Sequence, residues 1–356
     1  MSGTLAITIQ NRRIATDEPM FIIAELSANH NQDLSKAKEL IATAAEAGAD
    51  AVKLQTYTAD SITLDCDAAP FRIGKGTIWE GRTLHSLYSE AYTPWEWHGE
   101  LFAEAKRHGL IVFSSPFDFA AVDLLESLHA PAYKIASFEI VDIPLLKRVA
   151  ATGKPVIMST GMATLDEIDE AVQTLRSEGV KEIALLKCTS GYPADPAEMN
   201  LRTLPALQTT FNVPVGLSDH TLSNTAAVAS RALDACILEK HLTLSRKEPG
   251  PDSAFSLEPQ EFADLVKEIR LTEAALGSVR FEPTAGELAS RKFRRSLFVT
   301  ADIKKGEAFT ADNVRSIRPA DGLHPRYLNS VIGATATSDI ARGTPLEEKH
   351  FSTKCQ

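Results

Sequence analysis

Cysteine is scarce in this chain of 356 residues. Cys66, Cys188, Cys236 and Cys355 are scattered, with no CxxC pair. That spacing excludes a disulfide framework and reads as free thiols of a reducing, cytoplasmic compartment. No run of 18 apolar residues occurs, so no membrane span is expected. The opening stretch MSGTLAITIQNRRIA lacks a continuous apolar segment with a small-residue cleavage site, so no signal peptide is expected. Basic residues are in deficit, 37 against 47 acidic, for a net charge of −10. Such a balance argues against a nucleic-acid surface, and an anionic substrate would need a local basic pocket set against the overall field. There is no GxSxG elbow. The Gly-rich RIGKGTIWEG (72–81) follows no βα turn of the dinucleotide type, which excludes a nicotinamide site.

What the chain does have is a repeating unit. From residue 21, short apolar runs rich in β-branched residues alternate with amphipathic helical stretches. The candidate strands are FIIAEL (21–26), AVKLQT (51–56), IVFSSP (111–116), AYKIAS (132–137), PVIMST (155–160), IALLKC (183–188), PVGLSD (214–219) and ILEKHLT (237–243). Intervening segments such as LSKAKELIATAAEAG and DEIDEAVQTLRSEG place apolar residues at i, i+3, i+4 and i+7. Eight strands alternating with helices predict an α/β fold, a closed (β/α)8 barrel, with an open doubly wound sheet as the structural alternative. The first twenty residues read as a hairpin or strand capping the barrel's bottom, within a catalytic domain of residues 1–282.

Three segments break the rhythm. Residues 57–93 are too long for an ordinary βα loop, and with Trp79, Arg82, His85 and Tyr88 they read as a functional lid. Residues 283–296 are polar and basic and read as an extended linker. Residues 297–356 change to short strands punctuated by turns, a small separate β-rich module.

In such a barrel, chemistry sits at the C-terminal ends of the strands. Polar residues gather there: Glu25, Lys53, Gln55, Ser115, Lys134, Ser137, Glu139, Ser159, Ser190, Tyr192, Ser218, His220, Glu239 and His241. Buried lysines need an anion, and a phosphate supplies one to Lys53 and Lys134. His220 and His241, near the ends of adjacent strands, suit one divalent ion with positions open for water and substrate oxygens. A hydrogen-bonded core role is the alternative for either histidine taken singly. Glu25 and Glu139 are candidate acid–base groups. The alternative for each is an ion pair with Lys53 or Lys134.

The strings FIIAELSANHNQ, GADAVKLQTY, FSSPFD, PAYKIASFEI, GKPVIMSTGM, LLKCTSGYPA, GLSDHT, ILEKHLT and GPD occur in order along nearly the whole chain. Together they resemble the sialic acid synthase family, and IKKGEAFTADNVRSIRP … IGATATSDIARGTPL resembles the antifreeze-like SAF domain (a β-clip) that ends its members. Within the family, SANH after Glu25, the insert GTIWEGRTLHSLYSEAYTPWEWH and KCTSGYPA are most similar to pseudaminic acid synthases. N-acetylneuraminate-type synthases instead show IGxNH and an asparagine where Ser190 stands, so a phosphate-contacting amide of that pattern is missing here.

The resemblance implies a transferase. Its expected reaction joins phosphoenolpyruvate, 2,4-diacetamido-2,4,6-trideoxy-L-altrose and water into pseudaminic acid and phosphate, by C–O cleavage through a tetrahedral intermediate. Synthesis of N-acetylneuraminate or legionaminate is the alternative. It further implies His220 and His241 as ligands of a divalent ion, Mn2+ favoured, with Mg2+ or Co2+ as alternatives. Lys53, Lys134, Ser137 and Ser218 match residues that hold phosphoenolpyruvate, with Ser115 and Ser159 lining that pocket. Glu25, Gln55, Tyr192 and Asp252 match sugar-binding positions, and Glu139 a carboxylate beside C3 of phosphoenolpyruvate. Arg318 matches an arginine reaching the partner subunit's site in a domain-swapped homodimer. Two more distant readings are an aldolase using a Schiff base on Lys134 and a non-catalytic carbohydrate-binding protein.

Overall fold

The computed structural model describes residues 4–352. Residues 1–3 and 353–356, Cys355 among them, lie outside the described residues. Two compact units divide between Gly277 and Ser278.

The first unit opens with an antiparallel hairpin, β1 (Ala6–Ile9) and β2 (Arg12–Ala15). Eight parallel strands follow: β3 (Phe21–Glu25), β4 (Ala51–Thr56), β5 (Ile111–Pro116), β6 (Tyr133–Ile135), β7 (Val156–Ser159), β8 (Ile183–Cys188), β9 (Val215–Asp219) and β10 (Ile237–His241). They close into a barrel, with β10 pairing with both β9 and β3. The open-sheet alternative is thereby excluded. Several strands are a residue or two shorter than their apolar runs. β6 shrinks furthest because Ser137–Val141 turns into a 3-10 helix directly after it.

Period-two alternation sorts each strand into two faces. Ile22 and Ala24, Val52 and Leu54, and Leu238 point outward and join helix residues such as Leu40, Ile41, Leu101 and Phe262 in the main core. Phe21, Ile23, Ala51, Ile157, Ala184 and Ile237 point inward and form a second core with Ile7, Ile9 and Ile14 of the hairpin. The hairpin therefore plugs the end of the barrel where the strands begin, which leaves the other end free for a site. Gly216 marks how tightly the interior is filled. A Cβ there would stand 2.5 Å from the Ile237 carbonyl oxygen and 2.6 Å from Leu186 Cδ2.

The second unit holds the antiparallel pair β11 (Ser296–Val299) and β12 (Val314–Ile317) and the short pair β13 (Thr335–Ala336) and β14 (Phe351–Ser352). Leu297, Val299, Phe309, Val314, Ile340 and Leu346 are among its core residues. Residues 283–296, expected as an extended linker, are instead helical over Ala285–Ser290. Thr284 and Glu287 form a capping box, an N-terminal signature that the reading of polar composition overlooked.

Candidate active site

Register places the polar residues before any side chain is considered. His241 on β10 stands opposite Glu25 on β3, Glu25 opposite Lys53 on β4, and Glu239 opposite Ser218 on β9. The inward face that carries Ile237 at the bottom of β10 carries Glu239 and then His241 above it. Ala51, Lys53 and Gln55 make the corresponding column on β4. Lys240, between Glu239 and His241 on β10, points outward, where its ammonium meets Asp219 Oδ2 at 2.6 Å.

At the centre of the mouth two lysines share one carboxylate. Glu239 Oε1 lies 3.3 Å from Lys134 Nζ and 3.8 Å from Lys53 Nζ, and it accepts from Ser218 Oγ at 3.3 Å. Lys53 Nζ also sits 2.6 Å from Glu25 Oε2, an ion pair rather than an aligned hydrogen bond, and 3.3 Å from Ser115 Oγ. Gln55 Nε2 donates to Glu25 Oε1 at 3.0 Å. Burial works against both ammonium groups. Glu239 and Glu25 outweigh it at Lys53, whose pKa is held up, while at Lys134 burial wins and the pKa falls. Burial pushes Glu25 up to about 7 against the pull of Lys53. At Glu239 the two lysines overcome burial and keep the carboxylate below its ordinary range. Burial likewise pushes Glu139 up to about 7, and its Oε2 is enclosed without a partner.

Beside this cluster the rings of His220 and His241 stand 5.3 Å apart. His220 Nδ1 donates to the Thr189 carbonyl at 3.0 Å, which fixes the ring and leaves Nε2 free to ligate, the usual outer-shell arrangement of a metal-bound histidine. Burial, then the neighbouring His220 and Lys53, keep His241 neutral well below the ordinary histidine range, and its buried Nδ1 has no partner. Two neutral-capable imidazoles, one with an orphaned nitrogen, fit a divalent cation. Among the described residues no group of three or more His, Cys, Asp or Glu side chains is placed to hold one. The histidine pair is what this site would offer such an ion. Cys188 Sγ lies 4.0 Å from His220 Nδ1. Burial raises its pKa but His220 brings it down to about 7.

A cavity of about 510 Å³ opens on these groups. Of the residues singled out from sequence, Lys53, Gln55, Lys134, Ser137, Glu139, Ser159, Tyr192, Ser218, His220, Glu239, His241 and Asp252 line it. Ser159 Oγ is buried without a partner. Asp252, pushed up to about 6 by burial, is held by the Ser27 hydroxyl. Ser115 lies behind Lys53 rather than in the wall. Ser190 stands beside Gly161, where a Cβ would collide with the hydroxyls of Ser190 and Ser137. Gly161 N instead donates to Ser137 Oγ at 3.1 Å. Arg318 is exposed in the second unit. Of the insert residues, Trp79 and Tyr88 line the cavity, whereas Arg82 pairs with Glu90 and His85 with Asp60 outside it.

The sequence reading undervalued Glu239, which proves to be the hub of the lysine cluster. Its signal was available: it stands two residues before His241 on a strand and therefore on the same face. Phe255 and Cys188 also line the cavity without having been singled out, and no spacing signal marks either.

Comparison with known proteins agrees with this architecture. The NeuB family model matches residues 40–281, and a SAF domain matches residues 294–352. The pseudaminic acid synthase of Helicobacter pylori is 45% identical over 92% of this chain and 97% of its own length. That of Campylobacter jejuni is 44% identical over 94% and 98%. The crystal structure of the Bacillus subtilis spore coat polysaccharide biosynthesis protein spsE, 37% identical, superposes with a TM-score of 0.67 over 98% of this chain and 100% of that one. A two-unit chain with a (β/α)8 barrel, a SAF domain and relatives this similar over nearly its whole length belongs to the NeuB family.

Proposed function

We propose that this protein condenses phosphoenolpyruvate with 2,4-diacetamido-2,4,6-trideoxy-L-altrose and water, releasing pseudaminic acid and phosphate. The observation that carries the proposal is the convergence of two buried ammonium groups, Lys53 and Lys134, on one cavity beside a histidine pair. The names of the Helicobacter and Campylobacter relatives support the choice of sugar.

His220 and His241 would hold the divalent ion, Mn2+ favoured, which when bound supplies Lewis-acid polarisation of the aldehyde oxygen. Lys53 and Lys134 grip the phosphate, with the hydroxyls of Ser137, Ser159 and Ser218 as donors nearby. C3 of phosphoenolpyruvate attacks the aldehyde carbon, and the positive charge that grows at C2 is stabilised by the fixed carboxylate of Glu139. A pKa near 7 lets Glu25 hold or release a proton at neutral pH, which suits it to serve the new hydroxyl or the incoming water. Water adds at C2, and the C–O bond to the bridging oxygen breaks. That oxygen leaves with the phosphate, whose growing charge the lysines hold more tightly than they hold the bound ester. Gln55, Tyr192 and Asp252 orient the sugar. The reaction belongs in the cytoplasm, in keeping with Cys66, Cys188 and Cys236 as free thiols. The second unit is too small for a large core of its own, which favours a two-fold homodimer in which the partner supplies Arg318.

The test is mass spectrometry of the products formed from the two substrates, with 18O at the bridging oxygen of phosphoenolpyruvate. The label is expected in inorganic phosphate, beside a nine-carbon sugar acid. Label retained in the sugar acid, or no sugar acid from this aldose, refutes the proposal.

A further inference from the structure

The cavity has two chemically different halves, and the reaction as proposed uses only one. The floor carries the lysines, histidines and carboxylates. The opposite side is built by the insert at residues 57–93. Its helix Leu84–Ala91 carries Leu84, Leu87, Tyr88 and Ala91 at i, i+3, i+4 and i+7, the stripe that ordinarily packs into a protein core. Here all four line the cavity, together with Ile62 and Ile73 from the same insert. Tyr57, whose ring stands 5.7 Å from Tyr88 and 5.1 Å from Phe117, joins this wall to the barrel. The wall is also anchored. Trp79 Nε1 donates across the mouth to the Pro251 carbonyl at 2.8 Å, Trp95 Nε1 to the Tyr57 carbonyl at 3.1 Å, and Gln32 Nε2 to the Glu90 carbonyl at 3.0 Å.

A preformed apolar wall facing a polar catalytic floor selects a substrate that is polar at its reacting end and alkyl at the other. We infer that the insert is a specificity element whose Leu84, Leu87 and Ala91 side chains receive the 6-deoxy methyl end of the sugar and disfavour a hydroxyl there. The inference rests on the functional reading above. A hydroxyl set against Leu84, Leu87 and Ala91 would be desolvated by aliphatic groups that offer it no partner, whereas a methyl group fills the space with gain. Discrimination of this kind amounts to about tenfold to a hundredfold.

The experiment is calorimetry on the full chain loaded with Mn2+, with inorganic phosphate in place of phosphoenolpyruvate. It is titrated with 2,4-diacetamido-2,4,6-trideoxy-L-altrose and, separately, with its 6-hydroxy counterpart. The 6-deoxy sugar is expected to bind about tenfold or more tightly than the 6-hydroxy sugar. Leu84→Gln, at a half-buried position, is expected to erase that preference while the KM for phosphoenolpyruvate stays within about twofold of wild type. Equal binding of the two sugars by the wild type, or a preference that survives Leu84→Gln, overturns the inference. Preferential binding of the 6-deoxy sugar without turnover upholds the inference and overturns the functional reading. Binding of neither sugar overturns both.

Discussion

Glu239→Gln isolates the electrostatics of the site. The carboxylate lies 3.3 Å from one ammonium and 3.8 Å from the other, all three groups being buried. At an effective dielectric constant of about 20 each contact is worth roughly 4–5 kcal/mol of attraction, so about 9 kcal/mol disappears with the charge. Against this, the variant no longer desolvates a carboxylate, which returns several kcal/mol, so the net loss is about 3–5 kcal/mol. For a unit of this size that corresponds to a fall in melting temperature of about 10 °C. The amide keeps the shape and can still accept from Ser218, so packing contributes little to the change. On the proposed reaction, phosphoenolpyruvate would bring its own negative charge to the same two lysines. It should therefore raise the melting temperature of the variant by more than it raises that of the wild type, at fixed metal and ligand concentration. The assay is thermal unfolding with and without phosphoenolpyruvate, repeated with inorganic phosphate. A ligand-free variant melting within about 2 °C of wild type refutes the charge argument, because that gap corresponds to less than about 1 kcal/mol. A ligand shift equal in the two proteins refutes the idea that the substrate's anion takes over the role of Glu239.

Further outcomes test the histidine pair and the second unit. Chelation should abolish turnover and Mn2+ should restore it, and His220→Ala should lose activity while melting close to wild type, since strand-end residues serve function more than stability. Full activity in exhaustively chelated protein, measured as phosphate release, contradicts the histidine-pair assignment. Arg318→Ala should raise the KM for the sugar and leave that for phosphoenolpyruvate nearly unchanged. Mixing it with Glu139→Gln should restore about a quarter of wild-type activity, from heterodimers that carry one intact composite site in a random assortment. No rescue on mixing contradicts exchange of the second unit between subunits.

Much of this was decided locally, and so was legible in the chain. Alternation of apolar strands with amphipathic helices determines the barrel, because parallel strands joined by helices bury their faces in few ways. Strand ends then determine where polar residues gather, and period two assigns Glu239 and His241 to one face and Lys240 to the other. Single-residue context likewise made the capping box at Thr284 readable, though composition masked it. What the sequence could not decide was which charges meet. Glu25 ends β3 and Glu139 lies in the 3-10 helix just after β6, yet Glu25 is paired with Lys53 while Glu139 Oε2 is enclosed without a partner. Shear between strands in a closed barrel sets those distances, and no local pattern encodes it. The same holds for the insert. Its helical stripe at 84, 87, 88 and 91 is an ordinary core pattern by sequence. Only the tertiary fold turned it toward a cavity, because the stripe packs against whatever the closed barrel presents beneath it, and here that is the open end of the site.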